Sequence, residues 1–257
     1  MSYFEATNLY KRWKSCTVQL SLSAEQGTLT AIVGPSGAGK STVLSLVAGL
    51  VANDLPQECM SLHKKSAAHF FARKNVPITK MEDWLPAKIM LDGVDITNLP
   101  PHKRGCGMVF QNHSLFMHMT VQDNIGYGLR AHGMSKHESR KKARAFLERF
   151  HMESFAERWP ETLSGGEAQR IALFRTLIVQ PKLVLLDEPL SALDETLRKR
   201  LASEIRAMQV ELGFTALMVT HDLVEAKSVS DSVVLIKNGK KSWEGPSTEF
   251  FPSRCIM

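Results

Sequence analysis

The apolar positions of the chain change period at a few sharp points. Thr28-Leu29-Thr30-Ala31-Ile32-Val33 is a run of β-branched and apolar residues, which predicts a buried strand. A Gly-rich turn follows. Val43, Leu44, Leu46 and Val47 then fall at near-helical spacing, which predicts a helix between Thr42 and Leu50. Leu183-Val184-Leu185-Leu186 is continuously apolar, the pattern of a parallel strand covered on both faces, and it ends in Asp187-Glu188-Pro189. Ser164 is a good N-cap, with a helical pattern behind it through Ile171, Leu173, Phe174 and Leu177. Ala143, Phe146, Leu147 and Phe150 give the segment 130–149 one apolar helical face, with its charges elsewhere. Strands alternating with helices predict an α/β fold. No apolar stretch approaches the roughly eighteen residues that would span a bilayer.

The Gly-rich turn carries the first chemistry. Gly34-Pro35-Ser36-Gly37-Ala38-Gly39-Lys40-Ser41-Thr42 fits G-x-x-x-x-G-K-[ST], a phosphate-binding loop between strand and helix. Its glycines let the backbone turn tightly and approach a ligand, so that N–H groups and the positive end of the helix converge on phosphate oxygens. Lys40 is placed to reach the β- and γ-phosphates, and the Ser41 hydroxyl to sit on Mg²⁺. The acids that end the apolar run emerge where a parallel sheet binds ligands. There Asp187 is suited to hold Mg²⁺ through water, and Glu188 to polarise an attacking water. Without the loop upstream, the same pair would read equally well as two surface acids.

Leu163-Ser164-Gly165-Gly166-Glu167-Ala168-Gln169-Arg170 places two glycines at a helix start, a second bare-backbone anion site. One ATP has a single γ-phosphate, already held from one side by the first loop. The second site therefore makes sense as a clamp on the ATP of a partner subunit.

Together these motifs resemble the ATP-binding subunit of an ATP-binding cassette transporter, over nearly the whole chain. Leu163 to Arg170 is similar to the family signature. The resemblance implies a P-loop NTPase core with an antiparallel β arm and an inserted helical subdomain. The core and arm would occupy 1–110 and 162–257, and the helical subdomain 111–161, within a single domain of 1–257. Gln111, in Met108-Val109-Phe110-Gln111, resembles the Q-loop glutamine that contacts Mg²⁺ and moves with the transmembrane partner. Ser191-Ala192-Leu193-Asp194 resembles the D-loop, and His221 the switch histidine that contacts the γ-phosphate. Trp13 falls where the family usually stacks a tyrosine on adenine; an indole can do the same, or it can be an edge-of-core aromatic.

The implied activity is ATP hydrolysis, with ATP and Mg²⁺ bound, at the cytoplasmic face of the inner membrane. The implied partners are a second copy of the chain, a membrane permease docked through the helical subdomain, and indirectly a substrate-binding protein. The stretch Gln111 to Val121 resembles importer subunits. Thiamine is the cargo expected first, then ferric iron or polyamine; an exporter subunit and a soluble ATPase acting on nucleic acid are the other readings.

Composition adjusts this picture in three places. The net charge of +6 gathers in 130–149, where seven Lys/Arg face two Glu. That stretch reads as a solvated helix face, with nucleic acid or an anionic membrane surface as alternatives. Cys16, Cys59, Cys106 and Cys255 form no C-x-x-C pair, and the spacing of His113, His118, His132 and His137 fits no ligand pattern. The chain departs from the family in two ways. The interval 51–88 is long, and reads as an insertion in the β arm, either a surface excursion or a contact with the permease or a regulator. The chain also ends soon after Trp243-Glu244-Gly245-Pro246, where sugar and polyamine importer subunits continue into a regulatory β domain, so regulation of that type is not expected.

Overall fold

The structure is a computed structural model, which describes residues 2–14, 16–54, 86–112, 114–191 and 193–251. Most of the 51–88 insertion, with Cys59, His113, Ala192 and Cys255, lies outside the described residues.

Ten strands form one sheet among the described residues. They are β1 (Phe4–Arg12), β2 (Thr17–Ala24), β3 (Leu29–Val33), β4 (Lys88–Leu91), β5 (Val94–Asp95), β6 (Cys106–Val109), β7 (Leu183–Asp187), β8 (Thr215–Val219), β9 (Ser232–Lys237) and β10 (Lys240–Pro246). Their order is β5-β4-β1-β2-β10-β9-β3-β8-β7-β6. From β9 to β6 neighbours run parallel; β1, β2, β4 and β5 pair antiparallel. A single parallel pairing, Lys240 opposite Gln19, joins the β arm to the rest through β10.

The uniform apolar run of β7 is explained by its two covered faces. Leu183 and Leu185 pack into one core, between the arm and helix α1 (Lys40–Ala48). Val184 and Leu186 pack into the other. That second core also takes Ile171 and Phe174 of α5 (Gly165–Leu177) and Leu201 and Ile205 of α6 (Glu195–Leu212). The expected helix at 42–50 begins two residues earlier and stops at Gly49, whose positive φ of 77° closes it, so Leu50 lies beyond its end.

Between β6 and α5 lie α2 (Val121–Ile125), α3 (Tyr127–Ala131) and α4 (Lys136–Arg149). Ala143 and Leu147 of α4 are buried against Val121, Ile125 and Phe174. The arginines on the other side of α4 are occupied. Arg140 forks onto Asp123 at 2.8 and 2.6 Å, Arg144 donates to Gln122 Oε1 at 2.8 Å and to Glu157, and Arg149 reaches Glu211 at 2.6 Å. Three of the seven basic residues of the stretch are thus ion-paired within the chain, which weakens its reading as a stripe for polyanions.

Candidate active site

The loop 34–39 links β3 to α1 and is set by three close approaches. A Cβ at Gly34 would stand 2.2 Å from the carbonyl oxygen of Ile236 at the end of β9. A Cβ at Gly39, where φ is 94°, would stand 2.3 Å from Val18 Cγ2. Ala38 N–H donates to Pro35 O at 3.1 Å, which tightens the turn. The loop is therefore wedged between β2 and β9, while Pro35, Ser36 and Gly37 are exposed at its crest. Thr42 follows half-buried in the first turn of α1.

Lys40 is buried, at 5% exposure, and its Nζ donates to the carbonyls of Gly34 and Pro35 at 2.9 and 3.1 Å. Burial pulls its pKa below the ordinary lysine value; the carboxylates of Glu188 and Asp187 pull it the other way. An ammonium resting on two loop carbonyls is held inside the cradle that a phosphate would enter.

Ser41 Oγ donates to Asp187 Oδ1 at 2.7 Å, so the first turn of α1 and the end of β7 meet. Burial raises the Asp187 pKa; the Ser41 bond and Lys40 lower it, and neighbouring Glu188 raises it. A hydroxyl and a carboxylate suit Mg²⁺, which keeps most of its water and takes few protein ligands.

Glu188 adopts φ 45°, unusual for a non-Gly residue, and its N–H donates to Val219 O at 3.0 Å. This turns the side chain out of the strand toward His221, whose Nδ1 lies 3.4 Å from Glu188 Oε2. Gln111 follows β6, and its Nε2 donates to Ser191 Oγ at 3.1 Å. Ser191 Oγ donates to Glu188 O at 3.1 Å. Gln111, Ser191 and Glu188 thus form one hydrogen-bonded chain, with His221 3.4 Å beyond Glu188, beside Asp187 and Lys40. Ser191 was read from sequence only as part of a loop motif; its relay between Gln111 and Glu188 has no signature in spacing.

The remaining predicted residues lie elsewhere. Ser164 caps α5 through a reciprocal capping box: its N–H and hydroxyl donate to Glu167 Oε2 at 2.7 and 2.8 Å, and Glu167 N–H donates back at 3.4 Å. Ser164 and Gly165 are exposed, while Gly166 is pressed against Leu197 and Leu201 of α6. No hydrogen bond joins Ser164–Gly166 to the phosphate loop among the described residues. Asp194 is the N-cap of α6, accepting Leu197 N–H at 2.9 Å, and its exposed carboxylate is committed to that bond. Trp13, 44% exposed at the end of β1, carries Lys11 Nζ 5.2 Å from its ring centre.

Residues 18–191 match the family described as ABC transporter. The Fe(3+) ions import ATP-binding protein FbpC 1 of Rhizobium meliloti is 39% identical over 246 residues, covering 95% of this chain and 61% of that protein. FbpC of Brucella abortus gives the same 39%, 95% and 61%. FbpC of Pasteurella multocida is 39% identical over 232 residues, 90% of this chain and 58% of its own length. The chain thus spans about three fifths of the length of the curated relatives it matches.

Proposed function

The chain belongs to the ABC transporter family, and on that premise we propose that it hydrolyses ATP to drive import through a membrane permease. The observation that carries this reading is the split site. Lys40, Ser41, Asp187, Glu188, Gln111 and His221 are assembled on one side, while the exposed N-terminus of α5 is finished as a helix start and, among the described residues, makes no hydrogen bond to any of them. Two copies facing head to tail would place Ser164, Gly165 and Gly166 of each over the ATP of the other.

In this scheme the loop amides and Lys40 hold the polyphosphate, Trp13 stacks on the base, and Glu188 orients water for in-line attack on the γ-phosphorus. His221, fixed by Glu188, meets the γ-phosphate from the opposite side. Ser41 and Asp187 are the residues that would hold Mg²⁺, with Gln111 alongside; when bound, the ion neutralises phosphate charge. The helices between β6 and α5 would dock the permease, and Asp194 would lie at the seam between copies.

For cargo, the names of the relatives favour ferric iron. This corrects the expectation of thiamine, because the residues of a cassette record nothing direct of the cargo. The cassette would act at the cytoplasmic face of the membrane; no helix among the described residues is long and apolar enough to cross one. The paired arginines of α4 favour this over action on nucleic acid. Glu188→Gln tests the hydrolytic role: it should retain ATP and trap a dimer with little turnover, and normal turnover by that variant would refute the assignment.

A further inference from the structure

Glu225 is a buried acid that this scheme leaves unused. It sits in the first turn of α7 (Leu223–Val229), four residues past His221, at 7% exposure. Its Oε2 accepts a hydrogen bond from Thr220 Oγ1 at 3.3 Å; its Oε1 is sealed from solvent with no partner. Thr220 Oγ1 in turn accepts Asp222 N–H at 3.0 Å. Asp222 caps α7, taking the N–H groups of Val224 and Glu225 at 2.9 and 3.0 Å.

The spacing Asp222-x-x-Glu225 is that of a capping box, in which the glutamate reaches back to the N-cap N–H from the helix surface. Here that N–H is taken by Thr220, and Glu225 is turned inward behind the loop that presents His221. A carboxyl in that place is not a cap. The charged groups that face it are Asp222 at the head of its own helix, Arg198 from α6 and Glu188 from the end of β7. Arg198 is shared: it also faces Asp222 Oδ2 at 3.6 Å and donates to Leu190 O and Leu193 O at 3.4 and 2.8 Å. Two acids against one divided cation make this a poor site for a carboxylate.

We propose that Glu225 is a positioning residue of the hydrolytic site that works as the neutral acid, bracing the 220–222 loop behind His221 while a polyphosphate is bound. The inference rests on the ATP-hydrolysing reading above. Burial pushes the Glu225 carboxyl up to about 7, with Asp222 and Glu188 adding to the rise and Arg198 and Thr220 opposing it. Both forms are then populated near neutral pH in the free chain. A polyanion arriving beside Glu188 and His221 favours the neutral form further, so nucleotide binding takes up a proton at Glu225, and affinity falls as pH rises.

The test is binding of the Mg²⁺ complex of ATPγS to the full chain and to Glu225→Gln, from pH 6 to pH 8. The wild-type dissociation constant should rise by about tenfold relative to that of the variant over this span, one unit on each side of the titration. Other groups that titrate in the range are common to both proteins and cancel in the ratio. Thr220→Val removes a donor that favours the carboxylate, so its loss of affinity with rising pH should be displaced to higher pH than in wild type. A ratio constant in pH overturns the proposal while nucleotide binding stands, as does a Thr220→Val profile identical to wild type. A wild-type chain that binds no nucleotide at any pH overturns the reading beneath it, and the proposal with it.

Discussion

Arg104 is buried with no carboxylate partner among the described residues, and its truncation should loosen the phosphate loop from behind. Its guanidinium donates to four backbone carbonyls: Nε to Leu99 at 2.8 Å, Nη1 to Leu46 and Val47 at 3.0 and 2.9 Å, and Nη2 to Thr97 at 2.7 Å. Leu46 and Val47 are in the last turn of α1, so the cation sits on the negative end of the helix whose other end is the phosphate loop. The fit is close: a Cβ at Gly49 would stand 2.4 Å from Arg104 Nε. Charged hydrogen bonds contribute about 1.5–3 kcal/mol each, but bonds from one guanidinium share its desolvation cost, and a cleft beside Arg104 would admit water to some of the freed carbonyls. A loss of about 3–4 kcal/mol is therefore expected for Arg104→Ala. At roughly 2–4 °C per kcal/mol for a domain of this size, Tm should fall by about 6–16 °C. Arg104→Lys keeps the charge but not the planar fork, and should recover less than half of the loss. Urea unfolding followed by circular dichroism reads both. A loss below about 1 kcal/mol for the alanine variant would mean that water satisfies all four carbonyls as well as the guanidinium does, and would refute the reasoning.

Two further outcomes follow from the acids. Glu225 is raised from its ordinary 4.5 to about 7 in the folded chain, so between those values the unfolded chain releases a proton that the folded chain keeps. Stability therefore falls as pH rises through that window and levels off above it; Glu225→Gln should gain about 2–3 kcal/mol on wild type between pH 4.5 and pH 8, measured by urea midpoints, and an equal gap at both ends would contradict it. Asp187→Asn keeps an acceptor for Ser41 but removes the charge, so Mg²⁺ should stimulate ATP turnover at least about tenfold less than in wild type; an unchanged Mg²⁺ dependence would remove Asp187 from the metal site.

The parts legible in the sequence are those in which residue type at fixed spacing is itself the mechanism. The run Gly34 to Thr42 needs bare backbone and one ammonium, and no distant residue changes that requirement. Leu183 to Leu186 has to be apolar at every position because both faces are covered. What escaped is of two kinds. Sheet order depends on pairings between distant segments, such as β10 against β2, and nothing local in Lys240 or Gln19 announces the junction. Buried polar contacts escape for a related reason. Arg104, Ser191 and Glu225 are ordinary surface residues by type, and only tertiary placement turns them inward. Glu225 is the sharper case, because its local spacing points to a helix cap on the surface while the structure buries it behind Thr220.

These buried contacts share a direction. Arg104 ties the far end of α1 to the segment leading into β6, and β6 leads to Gln111. Gln111 passes through Ser191 to Glu188, and Glu188 meets His221. Behind His221, Thr220 and Asp222 lead to Glu225 and to Arg198, which returns to the 190–193 loop through Leu190 and Leu193. The hydrolytic half-site is thus a closed circuit of polar contacts that opens to solvent at the phosphate loop and at His221. A partner's helix N-terminus arriving at those openings meets groups already fixed in place, so it has only to supply amides over the γ-phosphate. On the proposed head-to-tail pairing, that division of labour would account for an α5 start that is capped and exposed within its own chain, placed to meet the other copy's ATP.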